Sequence, residues 1–158
     1  MIYVAISIYA VSMIVANLLV AAFGPSITPI NAFVLIGLDL VLRDWLHFKL
    51  KTWQMGALIA STGVLTFVLN PAVGQIAFAS AASFTLAAIA DWSVFRKITG
   101  SWFKRSNFSN IAGAAVDSFV FPIIAFGLVM PTIIASQFVA KVAGGAVWAY
   151  LLKRKMQQ

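Results

Sequence analysis

Asn110 and Asp117 lie seven residues apart in the stretch 107–127, NFSNIAGAAVDSFVFPIIAFG, which otherwise reads as a membrane helix. Seven residues is two helical turns, so both face one way, with Gly113 and Ala114 between them. At 1.5 Å per residue, Asp117 sits roughly 12 Å into a bilayer. A carboxylate there is costly unless it is paired or faces a cavity. The other costly groups in apolar runs are Asn17, Asp39, Arg43, Asp44, His47, Asp91, Gln137 and Lys141. Counting from helix ends brings Asp39, Asp117 and Lys141 to similar depth near mid-membrane, where they could share a site.

Each group has a structural reading beside the functional one. Asp39 and Arg43, at i and i+4, can neutralise each other along their helix. Asp44 and His47 read as a solvated helix end. Asp91 has Arg96 or Arg43 as partner, or meets substrate. Asn17 can be glue between helices. Lys141 shares a face with Gln137, Gly144 or Gly145, and Trp148, and should pair with Asp39 or Asp117 or touch substrate. Gly144-Gly145 reads as a close helix contact.

This set does not read as an enzyme. It offers no Ser-His-Asp arrangement, glycine-rich phosphate loop or HExxH, and without Cys it offers no thiolate. With one His and no Glu, neither a metal cage nor a cofactor is expected. Carboxylates, amides and one or two cations between aromatic walls suit a small, flat, polar molecule. A carboxylate accepts from two adjacent N–H groups, as on a purine edge, and Phe121, Trp45 or Trp92 could stack on a ring. The residues alone imply a small-solute permease or a binding subunit.

The elements that must hold these residues are membrane helices. The chain has 158 residues, 62% hydrophobic and 9% charged, against about a quarter charged in soluble domains. Mean hydropathy is +0.98. The apolar runs have the length that spans hydrocarbon as helix, without the alternation of a barrel. The expected fold is one all-α integral membrane domain over 1–158, with six transmembrane helices at about 2–22, 29–48, 53–69, 72–95, 107–130 and 131–152. The first run reads as a retained helix rather than a signal peptide. Net charge is +7. The basic residues flank the spans, which suits topology and lipid headgroups, so no nucleic-acid partner is expected. Lys49 and Lys51, then Arg96, Lys97, Lys104 and Arg105, then Lys153, Arg154 and Lys155 fall on one side, which places both termini in the cytoplasm.

Several motifs carry a family resemblance: ANLL at 16–19, PINAFVLIGLDLVLRD at 29–44, AIADWSVF at 88–95 and SNFSNIAGAAVDSFVFPIIAFG at 106–127. On these the chain resembles the VUT (YhhQ-like) family of queuosine precursor transporters, with the fifth-helix motif the most specific. The resemblance implies import of a 7-deazaguanine base across a bacterial cytoplasmic (inner) membrane. It carries site roles onto Asn17, Asp39, Arg43, Asp44, Asp91, Asn110, Asp117 and Ser118. Relatives often have Glu three residues before the fourth-helix Asp, and Ala88 stands there. The family is similar to the substrate-capture S-components of energy-coupling-factor vitamin transporters, which implies an S-component-like bundle. Such subunits often dock through alanines four apart on the first helix. This chain has no such pair, which favours a solitary transporter over a subunit.

The expected substrate-binding residues are Asn17, Asp39, Arg43, Asp91, Asn110, Asp117, Gln137 and Lys141. The expected partners are a purine-like base and the lipid bilayer, with a homodimer as a candidate assembly. The alternatives are a vitamin-binding S-component-like subunit and a non-transporting membrane scaffold.

Overall fold

Long apolar stretches with no water to satisfy their backbone must bond internally, and helices do this within one segment. In the computed structural model, which describes residues 2–69 and 71–156, every regular element is helical. The helices are α1 (Ile2–Phe23), α2 (Thr28–Asn31), α3 (Gly37–Lys49), α4 (Thr52–Leu69), α5 (Gly74–Lys97), α6 (Trp102–Phe126) and α7 (Pro131–Met156). A 3₁₀ turn, Gly24–Ile27, separates α1 from α2, and a π turn, Ala32–Ile36, joins α2 to α3. Another 3₁₀ turn, Pro71–Val73, precedes α5.

Four helical stretches are long and apolar enough to cross a membrane: Ile2–Leu46, Gly74–Lys97, Trp102–Phe126 and Pro131–Leu152. The apolar helix Trp53–Leu69 is shorter. Ile2–Leu46 is not one straight rod. Gly24, at φ +68°, turns the chain in a conformation that side chains disfavour. Beyond it, Asn31 Nδ2 donates to Ala16 O at 2.9 Å. Tyr9, Met13 and Ala16 of α1 join Leu40, Leu42 and Leu46 of α3 in one core. The 45 residues of this stretch therefore form two arms lying side by side.

Among the boundaries that differ from the sequence expectation, two on α6 have a local cause, while α7 runs on to Met156. The helix expected from about 107 starts at Trp102, because the Ser101 side chain accepts from Lys104 N and caps it. It stops at Phe126 rather than near 130, because Gly127 takes φ +70° and its N–H bonds Ile123 O. The helix break expected at Asn70 and the His47 side chain lie outside the described residues, as do the side chains of Lys153, Arg154 and Lys155.

α7 packs on the second arm with backbone against backbone. A Cβ on Gly144 would meet Phe33 O at 2.2 Å, and one on Gly37 would meet Gly144 C at 2.7 Å. Phe33 and Val34 belong to the π turn, whose widened ladder redirects carbonyls. Trp148 Nε1 donates to one of them, Val34 O, at 3.0 Å. Outward faces are apolar, as at Tyr3, Phe78, Phe119, Val139 and Leu151. The described basic side chains outside the core sit at helix ends. Arg96 lies 4.6 Å from the Trp92 ring, and Arg105 donates through Nη2 to Phe95 O at 3.1 Å.

Candidate functional site

Asp117 does not stand alone in the membrane. Lys141, on α7, places Nζ 2.7 Å from Asp117 Oδ2. The same ammonium donates to Gln137 Oε1 at 2.9 Å and to Ser118 Oγ at 3.1 Å. An ammonium has three donors, and all three are used. Gln137 precedes Lys141 by one turn, so the α7 face expected from the sequence forms as expected.

The pair borders a cavity of about 30 Å³ lined by α1, α2, the π turn, α5, α6 and α7, room for about one water. Asn17, Thr28, Asn31, Ser80, Asp117, Gln137 and Lys141 supply its polar lining, and Phe84 and Phe121 its aromatic walls. Pro122, buried inside α6, has no N–H to give the Ser118 carbonyl beside this site.

Four polar atoms on the lining residues are buried without a hydrogen-bond partner: Asn17 Nδ2, Gln137 Nε2, Asn31 Oδ1 and Asp117 Oδ1. Their orientations follow from their neighbours. Lys141 can only donate, so Gln137 turns Oε1 to it and Nε2 away. The Ala16 carbonyl can only accept, so Asn31 gives it Nδ2 and keeps Oδ1 free. Ser80 Oγ donates to Asn17 Oδ1, which leaves Nδ2 free. The cavity therefore presents two amide donors and two acceptors, one of them on a carboxylate. Buried polar groups are normally bonded, so these four atoms leave hydrogen-bonding capacity unused beside the cavity.

The remaining expected residues form a second buried cluster. Arg43 does not pair with Asp39 along α3. Neither side chain makes a hydrogen bond, and the described residues show no ion pair between them. Arg43 reaches across the bundle instead, because Gly113 on α6 leaves it room. A Cβ there would meet Arg43 Nη2 at 3.2 Å and Asp91 Cβ at 3.3 Å. Asp44 is not a solvated helix end. It is 4% exposed, and Ser106 Oγ donates to its Oδ2. Asn110 Nδ2 reaches Ser106 Oγ at 3.4 Å, which ties Asn110 to this cluster.

Thus Asn17, Asp117, Gln137 and Lys141 share the cavity, whereas Asp39, Arg43, Asp91 and Asn110 are outside its lining. Asp39 and Tyr9 are fully buried as well, also outside the cavity lining. Sequence reasoning missed Asn31, Ser80, Phe84 and Tyr9. Asn31 had a readable signal, a lone amide in the apolar run after Pro29. Among the aromatics expected to stack, Phe121 lines the cavity and Trp45 is in the core. Trp92 lines an apolar groove between α4 and α5, together with Ala88. The position where relatives often carry Glu is therefore away from the cavity.

The helices thus form a bundle apolar outside and polar within, with a small cavity between them. Residues 2–152 match the family described as "Putative vitamin uptake transporter", and the chain belongs to that family, VUT. No curated protein and no solved structure matches the chain significantly.

Proposed function

We propose that this protein is a permease that imports a 7-deazaguanine-type queuosine precursor across the bacterial cytoplasmic membrane, and that the cavity is where the base binds. The observation that carries this reading is the unmet set of Asn17 Nδ2, Gln137 Nε2, Asn31 Oδ1 and Asp117 Oδ1 around one cavity. A guanine-like edge carries the complement: N–H groups for Asp117 and Asn31, and a carbonyl or ring nitrogen for the amides. Phe84 and Phe121 flank the ring. Asp39, Arg43, Asp91 and Asn110 act at a distance, shaping the charge balance beneath the site.

The chain is taken as one six-helix transmembrane domain with both termini cytoplasmic. Supporting this, Lys49 and Lys51 follow the second arm and Arg96, Lys97, Lys104 and Arg105 surround the α5–α6 connection, while the intervening connections carry no Lys or Arg. The cavity is far smaller than the roughly 300 Å³ or more of ligand pockets. Entry of a base therefore requires helices to part and the Lys141 and Gln137 side chains to swing.

The test is uptake of labelled 7-deazaguanine by cells expressing the protein. Asp117→Ala is expected to abolish uptake while the protein inserts normally. Normal uptake by that variant would overturn the assignment.

A further inference from the structure

A groove of about 440 Å³ opens on the outer face of the bundle between α4 and α5. Met55 and Ile59 are buried at its floor, the small residues Gly56 and Ala60 leave it open along α4, and Ala81 and Trp92 are its outermost residues on α5. The size is that of a small-molecule pocket, roughly 300–1,000 Å³, but the lining is not. Its one hydroxyl, on Thr85, donates to Ala81 O of its own helix at 2.7 Å. The only other side-chain nitrogen or oxygen in the lining is the indole nitrogen of Trp92. A polar solute finds nothing here to orient it, whereas a hydrocarbon chain does not need orienting groups.

The length of the groove matches one leaflet. Ala81 and Trp92 are eleven residues apart, roughly 16 Å of helix, against about 15 Å for half of a bilayer's hydrocarbon. Trp92 is half exposed at one end, as an indole at the membrane interface is.

The Trp92 end is basic. Arg96, one turn further along α5, lies 4.6 Å from the Trp92 ring. The short turn Pro71–Val73 makes α4 and α5 antiparallel, so α4 begins at this same end. There Met55 N bonds Lys51 O at 3.1 Å, so Lys51 also stands one turn beyond the lining. Both basic residues are exposed. No exposed Asp or Glu is available to either, because the chain has four Asp and no Glu, and each Asp is at most 5% exposed.

We propose that the α4–α5 groove holds one tail of an anionic phospholipid, with the phosphate held by Arg96 and Lys51. The apolar trough takes the tail, its depth selects a lipid of one leaflet, and the two cations select the headgroup charge. A second copy of the chain fits this face poorly. Twofold pairing sets the same patch against itself, which brings two basic ends together with no exposed acid to offset them, and a crossing helix needs more than one leaflet of groove.

Photo-crosslinking in phosphatidylcholine nanodiscs tests the site. A trace of phosphatidylglycerol carrying a diazirine in its tail is added, and labelled peptides are mapped by mass spectrometry. Label is expected on 55–60 and 81–92 above the other outward faces. The same diazirine on phosphatidylcholine should label these segments roughly tenfold less, and Arg96→Gln and Lys51→Gln should each weaken the phosphatidylglycerol label about fivefold. Ala88→Trp and Ala60→Trp fill the groove from opposite walls, and whichever folds by circular dichroism should lose the groove label and keep label elsewhere. Equal groove label from the two lipids overturns the headgroup selection. Label spread evenly over the outward faces, or groove label that survives filling, overturns the site. A disulfide-linked dimer formed in the discs by Ala60→Cys gives the groove to a second copy and overturns it as well.

Discussion

Lys141 is the side chain on which the cavity's charge depends. It holds Asp117, Ser118 and Gln137 at once, which fixes the direction in which the free atoms of Asp117 and Gln137 face. Removing one partner of a buried ion pair costs about 3–5 kcal/mol, because the other charge is stranded. Lys141→Met and Asp117→Leu should each lower the unfolding temperature in detergent, and the double variant should recover most of the loss. Recovery is expected because an apolar pair of similar volume replaces a buried ion pair at little net cost. A double variant less stable than either single would mean that the two charges do not rely on each other. Asn110 shows how far the residue scale can be read from sequence. It faces the same way as Asp117, yet two turns amount to about 10 Å along the axis. That distance puts it with Ser106 and Asp44 rather than in the cavity. A shared face does not make a shared pocket.

At the scale of elements, close contact between α7 and the π turn holds the second arm in place behind the cavity. Glycine is required at Gly144, where any Cβ falls 2.2 Å from Phe33 O. Overpacking of this kind costs about 1–3 kcal/mol, and contact with backbone cannot be relieved by a side-chain rotation. Gly144→Ala should therefore destabilise the protein clearly. Gly56→Ala, in α4 with nothing within 4 Å of the added Cβ, should be neutral or up to about 1 kcal/mol stabilising. Thermal unfolding of the two variants side by side checks the contrast, and equal effects would contradict the packing. Much of this level was legible. Apolar run length indicated the helices, and the small pair Gly144-Gly145 indicated a close approach. The interhelical reach of Arg43 was not legible, because it depends on a gap at Gly113 in a helix far away in sequence. Nor was the early start of α6, because a basic stretch read as a loop is held in a helix by the Ser101 cap.

At the scale of the whole molecule, the helices form a bundle with an apolar exterior and a polar interior, and four helical stretches are long and apolar enough to cross a membrane. All of the chain's acids are in that interior, and among the described basic side chains only Arg43 and Lys141 are there with them. The chain contains no Cys, so single cysteines can report sidedness without background. A cysteine at Ser101 should be protected from an impermeant thiol reagent in intact cells, and one at Val129 should react. The reverse pattern would invert the topology, and reaction at both would break the six-crossing count. The central claim is that the cavity recognises a purine-like base, and the most direct measurement is thermal stabilisation of the purified protein by a ligand panel. The account predicts that 7-deazaguanines raise the unfolding temperature of wild type but not of Asp117→Asn, while vitamins leave both unchanged. Stabilisation by a vitamin instead, or by no member of the panel, would contradict it.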